Sequence, residues 1–321
     1  MIEIIIFVIA IFFSINMGAP SFAGSFSTAA GSKSLSRVKC QILFALFALI
    51  GGVLMGGAVS KTLGSGIIPK HYITTEAVLI ILAAATLSLF VANMMHIPQS
   101  TSLSTLAAIC GVGWHYKEVA LGKIQYMAVC WVIATIVSYV LIYWLAHYVY
   151  PPRRINFWIY ERIVHHKERL KVLVILTSCY KAFAQGTNNV ANAVGPLAAA
   201  GLIGTAQGLL LMGVFFGLGA FVFTGPLKTS SEKIVPLGLL TATVINLVSG
   251  TITIIASKLG LPLPTVIVYT VAIFAIGSIK DGIRLTVESP VTKKTFFTWC
   301  INPLITLIIS FILANIFLPK L

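Results

Sequence analysis

Apolar stretches that alternate with short polar segments run along the whole chain. A helix of about 20 mostly apolar residues is long enough to cross a bilayer. Six stretches meet that length: 40–59, 76–95, 124–148, 206–226, 236–257 and 295–318. Four more are shorter or interrupted by Gly, Pro, Asn, Ser or Thr: 2–17 with 18–31, 98–113, 172–185 with 186–200, and 262–279. This pattern predicts an all-α polytopic membrane protein.

The four interrupted segments are where we expect function. In lipid, a break in a helix is tolerated only where neighbouring protein or a wet cavity satisfies the freed backbone groups. We therefore predict that these segments form broken or re-entrant helices at the bilayer midplane. Because a re-entrant segment does not cross the membrane, the number of crossings stays open at about ten or fewer.

The composition excludes the water-soluble alternatives. Hydrophobic residues make up 58% of the 321 residues and charged residues only 9%, whereas soluble domains carry roughly 25% charged residues. A soluble enzyme, a nucleic-acid-binding protein and a disordered chain are therefore excluded for the chain as a whole, and we predict that membrane lipid surrounds it. The five cysteines show no CxxC spacing, so the sequence predicts no cofactor, metal site or disulfide framework.

The net charge of +14 comes from basic residues in short loops between the apolar segments, which is the pattern of membrane proteins. If both termini lie outside, the inside loops hold 15 Lys and Arg residues and the outside loops and tail hold 6, with Lys181 inside a segment. The positive-inside rule favours this orientation. We expect a multi-pass protein of the cytoplasmic (inner) membrane of a prokaryote.

Three motifs occur twice in the same order, at offsets of 164 to 168 residues. They are 18–26 with 186–194, Lys61-Thr62 with Lys228-Thr229, and Pro98 with Pro262. We therefore predict a first membrane repeat over 1–150, a basic cytoplasmic linker over 151–171 and a second repeat over 172–321. With about five segments in each repeat, an odd number, the second repeat lies inverted relative to the first.

Inverted repeats with interrupted helices are typical of secondary transporters, whose substrate lies near the midplane between the repeats. A membrane-embedded enzyme would need an acid/base pair or a nucleophile–base pair, which the interrupted segments lack. A passive channel is the third alternative. The sequence thus predicts transport rather than catalysis.

The segment 185–196 holds Asn188, Asn189 and Asn192 between Gly and Pro residues that are expected to break the helix. A helix broken there would present amide groups, free backbone N–H groups and a positive dipole end to an anion. The alternative is that these amides join neighbouring membrane helices. We predict that all three asparagines bind an anion.

A second donor-rich element follows Pro98. Ser100, Thr101 and Ser102 suit the N-terminus of a helix inside the membrane, and such a terminus binds an oxyanion through N–H and O–H groups. The alternative is that these hydroxyls only cap the helix near the membrane–water interface. Thr265 stands at the equivalent position of the second repeat, which is poorer in hydroxyls.

Lys181 lies in an apolar stretch four residues before Gln185. A charge inside the membrane is costly, and attraction to a bound anion would offset that cost. The alternative is that the side chain snorkels toward the cytoplasm. None of the eight Asp and Glu residues lies in these motifs, so the predicted site carries no negative side chain.

At these motifs the sequence resembles the inorganic phosphate transporter (PiT) family. The signature of that family reads Gly-Ala-Asn-Asp-Val-Ala-Asn-Ala, with a Pro-x-Ser-Thr-Thr-His element in each half. Here 183–196 matches the second signature closely, 18–26 is a degenerate first copy, and 98–102 matches the accompanying element. The resemblance covers nearly the whole chain, except that the large central hydrophilic loop of the family is absent.

Several residues depart from the family pattern. Ser21 and Asn189 stand where the family places Asp, Pro20 and Gly24 where it places Asn, and Leu103 where it places His. Because the resemblance implies cation coupling through those Asp residues, a conventional sodium site is not expected. The pattern resembles the CysP-type sulfate permease branch of the family.

Sulfate suits a site without acids. Phosphate at neutral pH carries a proton that a carboxylate can accept, whereas sulfate offers acceptors only. We predict a secondary active transporter that imports sulfate by proton symport, and the alternative is a phosphate transporter coupled to sodium or protons. Selectivity against thiosulfate and the formation of a homodimer stay open. The predicted substrate-binding residues are Ser21, Ser100, Thr101, Ser102, Lys181, Asn188, Asn189, Asn192 and Thr265.

Overall fold

The computed structural model describes residues 1–94, 99–149, 154–164, 166–222 and 238–319, and helices joined by short loops form almost all of them. The first half contains α1 (Ile2–Gly31), α2 (Arg37–Met55), α3 (Gly57–Ser65), α4 (Thr75–Met94), α5 (Thr101–His115) and α6 (Leu121–Val149), followed by a single turn, α7 (Phe157–Ile159). The second half contains α8 (Lys167–Ala199), α9 (Thr205–Val222), α10 (Leu239–Lys258), α11 (Thr265–Lys280), α12 (Ile283–Glu288) and α13 (Pro290–Phe317).

Seven of the described helices are long and apolar enough to cross a bilayer: α1, α2, α4, α6, α9, α10 and α13. Large apolar side chains are exposed along the outward faces of these helices, for example Val132 and Ile136 on α6 and Ile308 and Ile312 on α13. A surface of this kind is stable against lipid and not against water. The chain is a multi-pass all-α membrane protein, as the sequence predicted.

Two pairs of helices, α4 with α5 and α10 with α11, each begin and end on the same side of the molecule. Tyr72, just before α4, stacks on Tyr116, just after α5, with ring centroids 4.5 Å apart. Ile245 near the start of α10 and Ile276 near the end of α11 pack in one cluster with Ala146 of α6. The 15 residues of α5 and the 16 of α11 rise about 22–24 Å, less than the roughly 30 Å apolar core. The re-entrant alternative therefore describes α5 and α11, which correspond to the predicted segments 98–113 and 262–279, and Pro98 itself lies outside the described residues.

The predicted breaks in the other two interrupted segments are wrong. α1 runs unbroken with Pro20 inside it, and α8 runs unbroken through its asparagines with Pro196 inside it. A proline in a helix leaves the carbonyl four residues earlier without a donor. For Pro20 that carbonyl belongs to Asn16, and Nδ2 of Asn93 on α4 donates to it at 2.9 Å. A neighbouring helix thus replaces the missing bond.

Glycines bring α1 and α8 into backbone contact with helices of the other half. A Cβ on Gly18 of α1 would overlap the carbonyl oxygen of Phe216 on α9, and a Cβ on Gly186 of α8 would overlap that of Ala48 on α2. The two contacts are equivalent under the repeat offset, because adding 168 to 18 and 48 gives 186 and 216. This reciprocity supports a two-fold relation between the halves, and their inverted orientation stays a prediction.

We expect Gly186→Val to push α2 away from α8 and to lower the thermal stability of the detergent-purified protein. Overpacking a fitted core costs typically about 1–3 kcal/mol, and here the obstructing atom is backbone and cannot rotate aside. The control is Gly122→Val on α6, where a Cβ meets nothing within 4 Å. Unfolding midpoints of both variants test this, and a wild-type midpoint for Gly186→Val would contradict the close contact.

Candidate functional site

Two short helices begin against the middle of α8. Thr101 opens α5 and Thr265 opens α11, and the hydroxyl of each lies within hydrogen-bond distance of an asparagine of α8. The first N–H groups of a helix have no intrahelical acceptor, and the dipole places positive charge there. Two positive helix ends therefore meet the buried face of α8.

Asn192 contacts the start of α5. Its Nδ2 donates to Thr101 Oγ1 at 3.2 Å and to Ser102 Oγ at 3.3 Å, and its Oδ1 is buried without a partner among the described residues. Ser100 plays a different part, because its Oγ accepts the backbone N–H of Leu103 at 3.3 Å. Ser100 therefore caps α5, which is the alternative considered for this motif.

Asn189 joins three helices. Its Nδ2 donates to Ser21 Oγ on α1 at 2.9 Å and to Thr265 Oγ1 on α11 at 3.4 Å. All three residues are at most 2% exposed. Ser21 and Asn189 are 168 residues apart, which is the offset of the predicted repeats, so the two similar motifs meet each other directly. Together with the contacts of Asn192, these bonds define an amide–hydroxyl cluster, which comprises Ser21, Thr101, Ser102, Asn189, Asn192 and Thr265.

Asn188 holds the loop before α11 rather than facing an open site. Its Nδ2 donates to Ser257 Oγ and to the carbonyl oxygen of Leu261, both at 3.0 Å. Its Oδ1 accepts the backbone N–H of Leu263 at 3.0 Å and lies 3.4 Å from Ser102 Oγ. With its donors and acceptors engaged, Asn188 fixes the position of the loop.

Lys181 lies apart from the amide–hydroxyl cluster. It precedes Asn189, the nearest cluster residue on α8, by eight residues, a rise of about 12 Å, and its Nζ lies 3.5 Å from Thr253 Oγ1. The side chain is 0% exposed, so the snorkelling alternative is wrong. The structure therefore brings Ser21 and Thr265 together with Asn188 and the neighbouring asparagines of α8, and it places Lys181 apart from them.

Sequence reasoning missed the polar face of α10. Asn246, Ser249, Thr253 and Ser257 are all buried, and three of them bond to side chains of α8. They recur every three or four residues in an otherwise apolar helix, so they share one face. That periodicity in the sequence is the signal that would have revealed them.

No acid of the described ranges lies near the amide–hydroxyl cluster. All seven described carboxylates are exposed, at helix ends or in loops: Glu3, Glu76, Glu118, Glu161, Glu168, Asp281 and Glu288. The cluster thus contains amides, hydroxyls and two helix N-termini. Such an arrangement can hold an oxyanion by hydrogen bonds without a metal.

Comparison with known proteins finds one family model and several named permeases that are similar to this chain. A family model described as "Phosphate transporter family" matches residues 17–314. Sulfate permease CysP of Bacillus subtilis (strain 168) is 33% identical over 319 residues, which cover 98% of this chain and 88% of that protein. A protein of Thermococcus kodakarensis, provisionally named a phosphate permease, is 24% identical, with 94% of each chain covered.

The solved structure titled "The sodium-dependent phosphate transporter" superposes with a TM-score of 0.84, covering 98% of both chains at 20% sequence identity. At this identity the likeness shows a shared fold. The relatives' names divide between sulfate and phosphate, so they do not decide which anion this chain carries.

We expect Asn188→Ala to destabilise the loop between α10 and α11. The substitution leaves the carbonyl of Leu261 and the N–H of Leu263 without their partners, and each buried unpaired group costs about 1–3 kcal/mol. The measurement is the thermal unfolding midpoint in detergent. Asn315→Ala on the exposed face of α13 is the control, and equal midpoints for the two variants would contradict the role given to Asn188.

Proposed function

This chain belongs to the phosphate transporter family, and we propose that the anion it imports is sulfate. The observation that carries the proposal is the amide–hydroxyl cluster, which offers hydrogen-bond donors and has none of the seven described carboxylates in reach. Ser21, Thr101, Ser102 and Thr265 supply hydroxyls, and Asn189 and Asn192 supply amides. We further propose that import is secondary active transport by proton symport.

The asparagines orient the hydroxyls toward an anion. A hydroxyl has one proton to donate and two lone pairs to accept with. Asn189 donates to the oxygens of Ser21 and Thr265, and Asn192 to those of Thr101 and Ser102. Because each hydroxyl oxygen already accepts an amide hydrogen, its own proton is left to point at a ligand. Sulfate, which only accepts hydrogen bonds, matches such a set of donors.

Two hydroxyls have an acceptor within the protein, but the contacts are weak. Thr265 Oγ1 lies 3.4 Å from Asn189 Oδ1, and Ser102 Oγ lies 3.4 Å from Asn188 Oδ1. Hydroxyl bonds in proteins are typically about 2.5–3.0 Å long. An oxyanion that approaches within that range would displace these contacts, and the donors would turn to it.

The cluster draws on both halves of the chain, which suits alternating access. Ser21, Thr101 and Ser102 belong to 1–150, whereas Asn189, Asn192 and Thr265 belong to 172–321. We propose that these halves are the two membrane repeats and that the linker 151–171 joins them. Movement of one repeat against the other would then open the cluster to each side in turn.

A phosphate transporter is the second candidate, and one observation favours it. Asn192 Oδ1 is a buried acceptor without a partner in the described chain, and it belongs to the amide that contacts Thr101 and Ser102. Hydrogen phosphate carries a proton that this oxygen can accept, whereas sulfate carries none. The relatives provisionally named phosphate permeases agree with this alternative.

Uptake of labelled sulfate into proteoliposomes separates the candidates. With an acidic exterior we expect sulfate accumulation that an imposed sodium gradient does not increase and that a tenfold excess of phosphate reduces only slightly. Phosphate that abolishes sulfate uptake, together with phosphate accumulation under the same gradient, would instead identify a phosphate transporter. Equilibration without accumulation would indicate a passive channel.

We expect Asn189→Asp to reduce sulfate uptake at least tenfold, which corresponds to about 1.4 kcal/mol. A carboxylate beside Ser21 and Thr265 repels a dianion and offers it no proton. Phosphate uptake should suffer less, because the carboxylate can accept the phosphate proton. The matched control is Asn315→Asp, the same change at an exposed position of α13. Undiminished sulfate uptake by Asn189→Asp would overturn the proposal that sulfate binding requires a cluster without a carboxylate.

A further inference from the structure

A ladder of polar side chains follows one face of α8. Ser178, Lys181, Gln185, Asn189 and Asn192 are spaced three or four residues apart, and each is at most 1% exposed. That spacing keeps them on one side of a helix, and the ladder extends over about 21 Å. The amide–hydroxyl cluster occupies only the upper part, nearer the C-terminus of α8. The lower part, around Lys181, runs toward the basic linker that precedes α8.

Lys181 has no neutralising partner in the described structure. Its Nζ can donate three hydrogen bonds, and the contact with Thr253 Oγ1, at 3.5 Å, is long and weak. Helix α10 packs Gly250 and Thr253 against it. The titratable neighbours along α8 are Cys179 and Tyr180, neither of which has a carboxyl group, and the described carboxylates are all exposed. A buried ammonium without a counter-charge is costly.

A polar bridge lies between Lys181 and the linker end of α8. Nδ2 of Asn246 on α10 donates to the carbonyl oxygen of Ser25 on α1 and to Ser178 Oγ on α8, both at 3.2 Å. The bridge ties three helices together one turn below Lys181. Lys181 and Thr253 therefore lie in a buried layer between this bridge and the amide–hydroxyl cluster.

We propose that Lys181 and Thr253 form a second station for the transported oxyanion, between the amide–hydroxyl cluster and the cytoplasmic side. The inference rests on the proposed function and adds a step to it. A tetrahedral dianion supplies the missing counter-charge and accepts the unused N–H donors of Lys181. The two stations are about 12 Å apart along α8, and two dianions at that distance inside a protein repel each other. We therefore propose that a single anion moves from the first station to the second.

The test compares binding with transport in Lys181→Met. We expect the sulfate Kd of the detergent-purified protein, measured by calorimetry, to change less than threefold, because the amide–hydroxyl cluster is intact. The initial rate of sulfate uptake into proteoliposomes should fall at least tenfold, in net uptake and in sulfate–sulfate counterflow alike. Lys181→Arg should keep more than a third of the rate, and Thr253→Val should lose two- to fivefold. Lys39→Met, at the exposed start of α2, is the matched control.

Three results would overturn the second station. They are wild-type uptake by Lys181→Met, loss of sulfate binding in parallel with transport, and loss of net uptake with counterflow intact. The second would place Lys181 in the first site, and the third would make it a carrier of the coupling proton. Thermal unfolding should show Lys181→Met folded, since the variant removes an unpaired buried charge. A wild-type protein that neither binds nor takes up sulfate would refute the proposed function instead.

Discussion

Buried amides on α8 need hydrogen-bond partners, because the bilayer core offers no water to replace them. Asn189 finds its partners on α1 and α11, Asn192 on α5, and Asn188 on α10 and in the loop before α11. These bonds hold the starts of two short helices against one continuous helix. The site therefore forms only when helices from both halves of the chain are assembled, and no single helix contains it.

Close packing between the two halves fixes the helices that carry the cluster. The backbones of α1 and α9, and those of α8 and α2, approach without an intervening side chain. Gly18 and Gly186 provide this, because a Cβ at either position would overlap a carbonyl oxygen of the neighbouring helix. Small residues allow the same approach in other membrane helices. The glycines of the repeated motif thus serve packing, whereas the asparagine and serine beside them serve the site.

The proposal of sulfate rests on the hydrogen-bond donors that the cluster contains and equally on the absence of a described carboxylate beside them. Amides, hydroxyls and helix N-termini stabilise an anion by hydrogen bonding, and a carboxylate in the same place would favour a protonated ligand or a cation. Family membership establishes the class of transporter, and the donor set is what argues for sulfate over phosphate. Lys181 lies on the same face of α8 and has no counter-charge among the described residues, and the second station that we propose there extends this preference for anions beyond the cluster.

The sequence by itself determined the membrane class and most of the helices, because apolar length and charge bias are local properties of the chain. It also predicted one site that includes Ser21, Thr101, Asn189 and Thr265, and the structure brings these four residues together. The repeats and the binding role of these residues stay predictions. Only the tertiary structure decided whether Gly and Pro break a helix, because the donor that spares α1 comes from Asn93 on another helix. The tertiary structure also decided that Lys181 lies apart from the cluster, that Ser100 caps α5 and that Asn188 holds the loop before α11. These outcomes depend on the folded positions of residues that no local pattern encodes.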